Sequence, residues 1–366
     1  MTERCRFALL FWHGFAFHCP PPTVSRSFSQ LFRSVAGIVI FFGALTVVAG
    51  GWRATRGFER VPGVYHKWRY WLAHKDRFDV LFVGTSRLYH QVIPAEFDVG
   101  VQTTAPALGP VRSFNFGYDA MWPPEQFYLL RRILAERPAK LRYVVFDCMD
   151  IQPRLDERNA RTRRTAYWHD WRHTRMAWSA VPDMAEPLLA KWRFATAHGA
   201  LLLRELTNQG LGAEWLSYEF GVERRKKESR WDPPAEWKDT EGYGRGTDEP
   251  FAGQKLAAYE ANIRALRLLW PPQQLSPAYY RVIQAIDAEV RAAGAEPVWV
   301  VTPSDDVTEN FTGFPPGVLV WHYADPHAFA ELYDPAVHYD HAHLNHRGAQ
   351  IFTRMLAERF AAEMGK

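Results

Sequence analysis

The sequence predicts an α/β protein with a parallel sheet, preceded by one transmembrane helix. After residue 57, short β-rich runs alternate with helical patterns, an order typical of parallel strands joined by helices. Near the N-terminus, Ser34–Trp52 holds 19 residues without a charge. At 1.5 Å per residue this helix would be about 28 Å long, close to the hydrocarbon thickness of a bilayer. Hydrophobic residues make up 47% of the chain and charged residues 23%, which is ordinary for a globular protein.

The apolar segment divides the chain into three parts. We expect a cytoplasmic segment over 1–33, a membrane span over 34–52 and an extracytoplasmic domain over 57–366. The N-terminus is placed inside because a single N-terminal anchor usually carries its large domain outward. Arginines flank the span on both sides, so the positive charges determine the orientation only weakly. Cleavage as a signal peptide near Ala49–Gly51 stays open. The expected location is the cytoplasmic membrane, with lipid as a partner.

Several strands and helices can be placed by their hydrophobic patterns. Buried-strand patterns occupy Phe78–Val83, Leu141–Phe146, Pro297–Val301 and Val318–Trp321. Helical spacing of apolar residues covers Pro124–Glu136, Ser276–Ala293 and Asn345–Met364. Strands alternating with helices in this way are typical of an α/β sheet.

Between residues 152 and 273 the alternation stops. This stretch holds eight of the fifteen Trp residues, several helical patterns and the polar run Glu223–Thr247. We interpret it as a helical insertion packed against the sheet. Its arginines could face anionic lipid head groups or an acidic polysaccharide, or could form a solvated loop. They are Arg154, Arg158, Arg161, Arg163 and Arg164.

The first motif with chemical content is V-G-T-S-R, Val83–Arg87, directly after a strand pattern. A Ser on the turn that leaves a parallel strand lies at the carboxyl edge of the sheet, where α/β folds bind ligands. Gly84 permits a tight turn, and the Ser86 N–H is free to donate to an oxyanion. Ser86 is therefore a candidate nucleophile.

The second motif is Y-D-H-A-H-L-N-H-R-G-A, just before the last helix. Asp340 and His343 are three residues apart, so both side chains can face the same way within one turn. The carboxylate can then hold one ring nitrogen while the other meets a hydroxyl, which makes His343 a general base. Asn345 is a suitable N-cap for the following helix.

The dense histidines around this motif have a second interpretation, as a metal site. A zinc site needs three or four ligands that converge tetrahedrally, and the alternating spacing here seldom converges on one ion. We predict no metal ligands, and expect His338, His341 and His346 to face solvent or substrate. Asp147 and Asp150 end a strand pattern and could be helix caps or substrate ligands. The net charge of +4 is small for 366 residues, and no zinc-finger, RNP or basic-zipper pattern indicates nucleic acid.

Together the two motifs resemble the SGNH/GDSL hydrolase superfamily, over about residues 78–362 without the insertion. The resemblance implies a three-layer α/β/α SGNH-hydrolase-like fold with Ser86, Asp340 and His343 as the catalytic triad. S-F-N-F-G-Y, residues 113–118, is similar to the second conserved block of that superfamily, which implies an oxyanion role for Gly117 beside the Ser86 N–H.

One feature departs from the superfamily. Its third block supplies an oxyanion Asn, but the corresponding residues here are F-D-C-M-D, Phe146–Asp150. Loss of one such donor costs about two to three orders of magnitude in rate. Asn115 is the available substitute.

The anchor and both motifs look like the membrane-anchored SGNH-like proteins of polysaccharide O-acetylation and teichoic-acid D-alanylation. This implies transfer of an acyl group, most simply acetyl, to or from a cell-surface polysaccharide through a Ser-acyl intermediate, with a membrane-bound O-acyltransferase as partner and no cofactor. An esterase acting on the same kind of ester is an alternative. A catalytically silent subunit that binds glycan or scaffolds the membrane enzyme is another, and the missing Asn favours it.

Overall fold

The computed structural model describes residues 24–54, 64–151, 153–155, 163–207, 240–248, 252–269, 273–306 and 309–365. Its centre is a parallel five-stranded sheet in the order β2-β1-β3-β5-β7. The strands of this sheet are β1 (Val80–Val83), β2 (Ser113–Asn115), β3 (Tyr143–Asp147), β5 (Glu296–Val301) and β7 (Val320–His322). The parallel α/β class is therefore confirmed. Two short strands, β4 (Gln273–Gln274) and β6 (Phe311–Thr312), pair in parallel outside it.

The described helices include the three expected from sequence patterns, which begin and end within two residues of their expected bounds. In chain order they are α1 (Val24–Ala54), α2 (Val64–His74), α3 (Ser86–Gln91), α4 (Pro94–Thr104), α5 (Glu125–Ala135), α6 (Arg163–Tyr167), α7 (Trp171–Ala180), α8 (Leu188–Thr207), α9 (Gly253–Leu269), α10 (Pro277–Ala292) and α11 (His346–Met364).

The sheet carries a separate apolar core on each face. Side chains along a strand point alternately to opposite faces, so Leu81 and Val83 pack on one side, while Val80 and Phe82 pack on the other. The first core includes residues of α2, α5, α7 and α10, and the second includes residues of α3, α4, α9 and α11. The domain thus has three layers, with helices on both faces of the sheet.

The order of the strands reverses between β1 and β3. Chain connections from these two neighbours lead to opposite directions across the sheet, which leaves a crevice outside their carboxyl ends. Ser86 follows β1, and Asp147 ends β3. The topology therefore positions the predicted nucleophile where doubly wound sheets bind ligands.

The membrane-span prediction and the insertion prediction both fall partly on described residues. Within α1, Ser29–Val48 is long and apolar enough, by length and composition, to cross a membrane; this stretch starts five residues before the predicted span and includes Arg33. Residues 1–23, residues 55–63 between α1 and α2, and the part of the polar run up to residue 239 lie outside the described residues. Described parts of the insertion form α6 to α9, with α7 packed against α5, α8 and α10.

Candidate active site

The turn after β1 presents Ser86 as the first residue of α3. Thr85 caps this helix through its side-chain oxygen, which accepts from the Arg87 N–H at 3.2 Å. Gly84 has no room for a side chain, because a Cβ there would lie 2.3 Å from Asp147 Oδ1 and 2.8 Å from Leu88 Cδ1. The turn is therefore tight, and it leaves Ser86 half-buried at the edge of the sheet.

Asp147 supports this turn from below. It has no exposed surface, and its carboxylate accepts from the Thr85 N–H at 2.9 Å, the Thr85 hydroxyl and Gln126 Nε2. Burial raises the pKa of Asp147 to about 6, although the hydrogen bonds from Thr85 lower it in part. Asp147 is thus a fixed support for the nucleophile turn, and neither of the two roles expected from sequence describes its contacts. Asp150 likewise points inward, accepting from the Ser276 hydroxyl at 3.1 Å.

The loop before α11 holds Asp340 and His343 in one compact turn. Asp340 Oδ1 accepts the N–H groups of Ala342 and His343, both at 2.8 Å. The N-cap prediction for Asn345 is confirmed, since its side chain accepts from the Gly348 N–H at 3.0 Å. The same side chain donates to the Ala336 carbonyl at 2.8 Å, which ties the start of the helix to the turn that precedes the loop.

The two motifs meet as a continuous hydrogen-bonded chain. Ser86 Oγ lies 2.7 Å from His343 Nε2, and His343 Nδ1 lies 2.9 Å from both carboxylate oxygens of Asp340. Burial alone would raise the pKa of Asp340, but the hydrogen bond and charge of His343 outweigh it, so the pKa is lowered. An ionised Asp340 keeps the proton of His343 on Nδ1, which leaves Nε2 free to accept the Ser86 proton.

The predicted oxyanion donors at the end of β2 are engaged elsewhere. The Gly117 N–H donates to Asn115 Oδ1 at 2.9 Å. Asn115 is fully buried, and its Nδ2 donates to the carbonyls of Leu88 and Val92 at 2.7 and 2.8 Å. Asn115 therefore ties β2 to the end of α3, and the oxyanion expectation for Asn115 and Gly117 finds no support in these contacts. The Ser86 N–H remains available, because the first residue of a helix has no intrahelical acceptor.

A buried lysine that the sequence did not single out lies beneath this loop. Lys67 of α2 is fully buried, and its ammonium donates to the carbonyls of Asn115 and Gly117. Its Nζ also lies 3.9 Å from the centre of the Tyr89 ring. Burial lowers the pKa of Lys67 well below its ordinary value, with partial compensation from Asp119. A single Lys in an aromatic-rich helix carries no sequence signal for such a position.

A second His–Asp pair adjoins the catalytic candidates. His90 lies four residues after Ser86 on α3, and its ring centre is 5.8 Å from that of His343. Its Nε2 lies 2.9 Å from Asp119 Oδ1 and its Nδ1 lies 2.6 Å from the Gly244 carbonyl. Both partners are hydrogen-bond acceptors, so both ring nitrogens of His90 face oxygen atoms. Spacing of four residues from Ser86 could have indicated His90; Asp119 and Gly244 come from distant parts of the chain.

The insertion reaches this edge through residues 240–248. Gly244 packs so closely on Tyr89 that a Cβ would lie 2.1 Å from its ring. The Asn115 N–H donates to the Glu241 carbonyl at 2.9 Å, beside the end of β2. The end of the predicted polar run is therefore part of the site wall, which its composition did not indicate.

The other histidines of the second motif have different surroundings. The expectation of an exposed or substrate-facing His338 is wrong: it is buried, with Nε2 2.8 Å from the Leu332 carbonyl and 3.0 Å from the Tyr259 hydroxyl. Burial lowers the pKa of His338. His341 is exposed, and His346 is half-buried beside the Tyr243 hydroxyl. Among the described residues, no group of three or more His, Cys, Asp or Glu side chains is arranged to hold a metal ion.

Two arginines of the predicted cluster are ion-paired. Arg154 pairs with Glu186, and Arg164 Nε lies 2.9 Å from Glu125 Oε1. Arg158 and Arg161 lie outside the described residues. Arg154 and Arg164 therefore have carboxylate partners within the domain, and the side chain of Arg163 also lies outside the described residues.

Comparisons with protein-family models, curated proteins and solved structures find no match. The described fold and site define the class: a parallel α/β domain with a Ser–His–Asp hydrogen-bonded chain at the carboxyl edge of its sheet. Assignment to a narrower class of protein depends on the two sequence motifs themselves.

Proposed function

We propose that this protein is a membrane-anchored, extracytoplasmic serine acyltransferase or esterase of the SGNH type. The observation that carries the proposal is the hydrogen-bonded chain from Ser86 through His343 to Asp340, with distances of 2.7 and 2.9 Å. A half-buried hydroxyl, an adjoining imidazole and an ionised carboxylate are the parts that nucleophilic acyl transfer requires.

In the first half-reaction, His343 Nε2 accepts the Ser86 proton as Oγ attacks the carbonyl carbon of an acyl ester. The Ser86 N–H donates to the oxyanion of the tetrahedral intermediate. The intermediate collapses, the bond to the leaving alcohol breaks, and His343 gives its proton to that alcohol. An acyl ester on Ser86 remains.

In the second half-reaction, His343 takes the proton of an acceptor hydroxyl, which attacks the acyl-Ser86 ester. Collapse of the second intermediate returns the proton to Ser86 and releases the acylated acceptor. A sugar hydroxyl as acceptor gives transfer, and water gives hydrolysis. Asp340 orients the ring and stabilises its charged form in both halves.

We assign the acceptor or donor to a cell-surface polysaccharide and the acyl group to acetyl, with a membrane-bound O-acyltransferase as partner and the cytoplasmic membrane as location. The apolar stretch of α1 and the resemblance in the two motifs support these assignments. Failure of an integral membrane acyltransferase to co-purify with the protein from its host in mild detergent would argue against the partner.

A silent scaffolding or glycan-binding subunit is the second candidate. The observation that favours it is the engagement of Asn115 and Gly117 in internal hydrogen bonds, which leaves the Ser86 N–H as the single oxyanion donor identified among the described residues. Each missing oxyanion donor lowers the reaction rate by about two to three orders of magnitude, so a site with one donor reacts slowly.

Labelling with a fluorophosphonate separates the two candidates. We expect Ser86 to be labelled in the wild type, and His343→Ala to abolish labelling, because a Ser hydroxyl without a base is a poor nucleophile. Asp340→Asn should slow labelling by about 10⁴-fold, since it favours the wrong tautomer of His343.

The cellular control is polymer modification in the host. An enzyme requires that Ser86→Ala abolish modification, and the Ser86→Ala/His343→Ala double variant should be no worse than either single one. Normal modification in cells that carry Ser86→Ala, together with an unlabelled wild type, would identify the protein as a scaffold.

A further inference from the structure

Helix α8 carries an apolar stripe that faces away from the domain. Leu188, Trp192, Leu203 and Leu206 are separated by 4, 11 and 3 residues, so they share one side of a helix with 3.6 residues per turn. These side chains are 79%, 64%, 59% and 43% exposed. Leu189 beside them is 75% exposed. The four stripe residues form two exposed pairs, one near each end of this 20-residue helix.

The opposite side of α8 is buried against the domain. His198, Leu201 and Leu202 lie on this inner side and are buried. The outer side of α8 is apolar although its inner side is already packed. Exposure of apolar side chains to water is unfavourable, so such a face is expected to contact a protein core or a membrane.

The neighbour of α8 identifies the environment. Helix α8 contacts α1, whose stretch Ser29–Val48 is apolar enough to cross a bilayer and is exposed along its length. Two adjoining apolar surfaces would then meet the same lipid. Trp192 and the exposed Arg193 are side chains suited to the head-group region, where aromatic rings and long cationic stems find both apolar and polar partners.

We propose that the outer face of α8 lies in the membrane interface as an in-plane helix, with lipid as its occupant. The inference rests on the membrane anchoring of α1 in the proposed function and adds a second attachment of the domain to the bilayer. Because α8 is joined to α7, which packs on α5 and α10, this attachment fixes the orientation of the whole domain relative to the membrane.

The test uses the full chain in vesicles of phosphatidylcholine and phosphatidylglycerol, in a Cys5→Ser/Cys19→Ser background. A nitrobenzoxadiazole probe is attached at Leu203→Cys and quenched either by nitroxide-labelled lipid or by an aqueous quencher. The matched control is Arg354→Cys on α11, another position with an exposed side chain. We expect lipid quenching at least threefold stronger at position 203 than at position 354, and aqueous quenching at least threefold weaker.

Equal aqueous quenching at both positions would overturn the proposal, because the stripe would then lie in water. Protection of position 203 from both quenchers would also overturn it, and would assign the face to a second copy or to another membrane protein. A probe at Val39→Cys in α1 distinguishes the two levels of failure. If position 39 is in lipid and position 203 is not, only this inference fails; if both are in water, the proposed anchor fails as well.

Discussion

At the scale of single residues, two buried ionisable side chains support the candidate site. Asp147 holds the turn that carries Ser86, and Lys67 holds the loop that follows β2. Both are removed from water, and burial favours the neutral form of each. It raises the pKa of Asp147 and lowers the pKa of Lys67. Each of the two side chains gives a testable prediction.

Asp147 should make folding stability depend on pH. The folded protein keeps the carboxyl proton up to pH about 6, whereas the unfolded chain loses it near pH 4. The stabilisation from this group is therefore full below pH about 4 and is lost as the pH rises through about 6. The shift of about two units corresponds to about 2–3 kcal/mol.

Asp147→Asn has no such proton to lose. Its free energy of unfolding in detergent should decrease less than that of the wild type between pH 4 and pH 7, by about 2–3 kcal/mol. Other titrating groups, such as the half-buried Asp98, whose pKa is raised to about 7, are common to both proteins and cancel in the comparison. Parallel pH profiles for the two proteins would contradict the raised pKa of Asp147.

Lys67→Met tests the support beneath the second loop. The substitution keeps the apolar stem but leaves the carbonyls of Asn115 and Gly117 without the ammonium donor, so we expect a loss of about 1–3 kcal/mol in unfolding free energy. Lys255→Met on the exposed side of α9 is the matched control and should change stability by less than about 0.5 kcal/mol. An unchanged or increased stability of Lys67→Met would show that these carbonyls need no donor.

At the scale of elements, helix ends position the chemistry. Ser86 begins α3, and the Asp340–His343 turn is held by the N-cap of α11. The segment 240–248 closes the side of the site through the Gly244 carbonyl and Tyr243. The N-cap of α11 should therefore affect both the stability of this helix and the position of His343.

Asn345→Ala should show this double effect. Loss of the cap should cost about 1–2 kcal/mol, and the released turn should also slow fluorophosphonate labelling of Ser86, because His343 loses its fixed position. Ser276→Ala removes the comparable cap of α10, where the Ser hydroxyl accepts from the Tyr279 N–H at 3.1 Å. This control should lose similar stability and keep the wild-type labelling rate. Equal labelling by both variants would remove the positioning role of Asn345.

At the scale of the whole molecule, the anchor determines which compartment the site faces. If α1 crosses the membrane with the N-terminus inside, a periplasmic or surface reporter fused after Lys366 should be active. A cytoplasmic reporter at the same position should be inactive, because the domain would be on the other side of the bilayer. Activity of the cytoplasmic reporter alone would reverse the proposed orientation.

Several features of this protein could be predicted from local sequence. The strands of the sheet centre are continuous apolar runs because both their faces are covered, so β1, β3 and β5 are evident without a structure. The pairing of Asp340 with His343 and the cap by Asn345 depend on residues three apart, and one turn of backbone brings such residues together. The three residues of β2 are too few for a hydrophobic period to indicate a strand.

Sequence alone therefore determined the fold class, the apolar N-terminal helix and the local turns, because each depends on contacts between near neighbours in the chain. The tertiary structure determined which side chains come into contact at the carboxyl edge of the sheet. The 2.7 Å contact of Ser86 with His343 joins residues 257 positions apart, and the pairs of His90 with Asp119 and of Lys67 with the loop after β2 depend on how strands and helices pack. The same packing turned the side chain of Asn115 inward, because the end of α3 places the Leu88 and Val92 carbonyls within reach of its Nδ2, and its Oδ1 then accepts the Gly117 N–H.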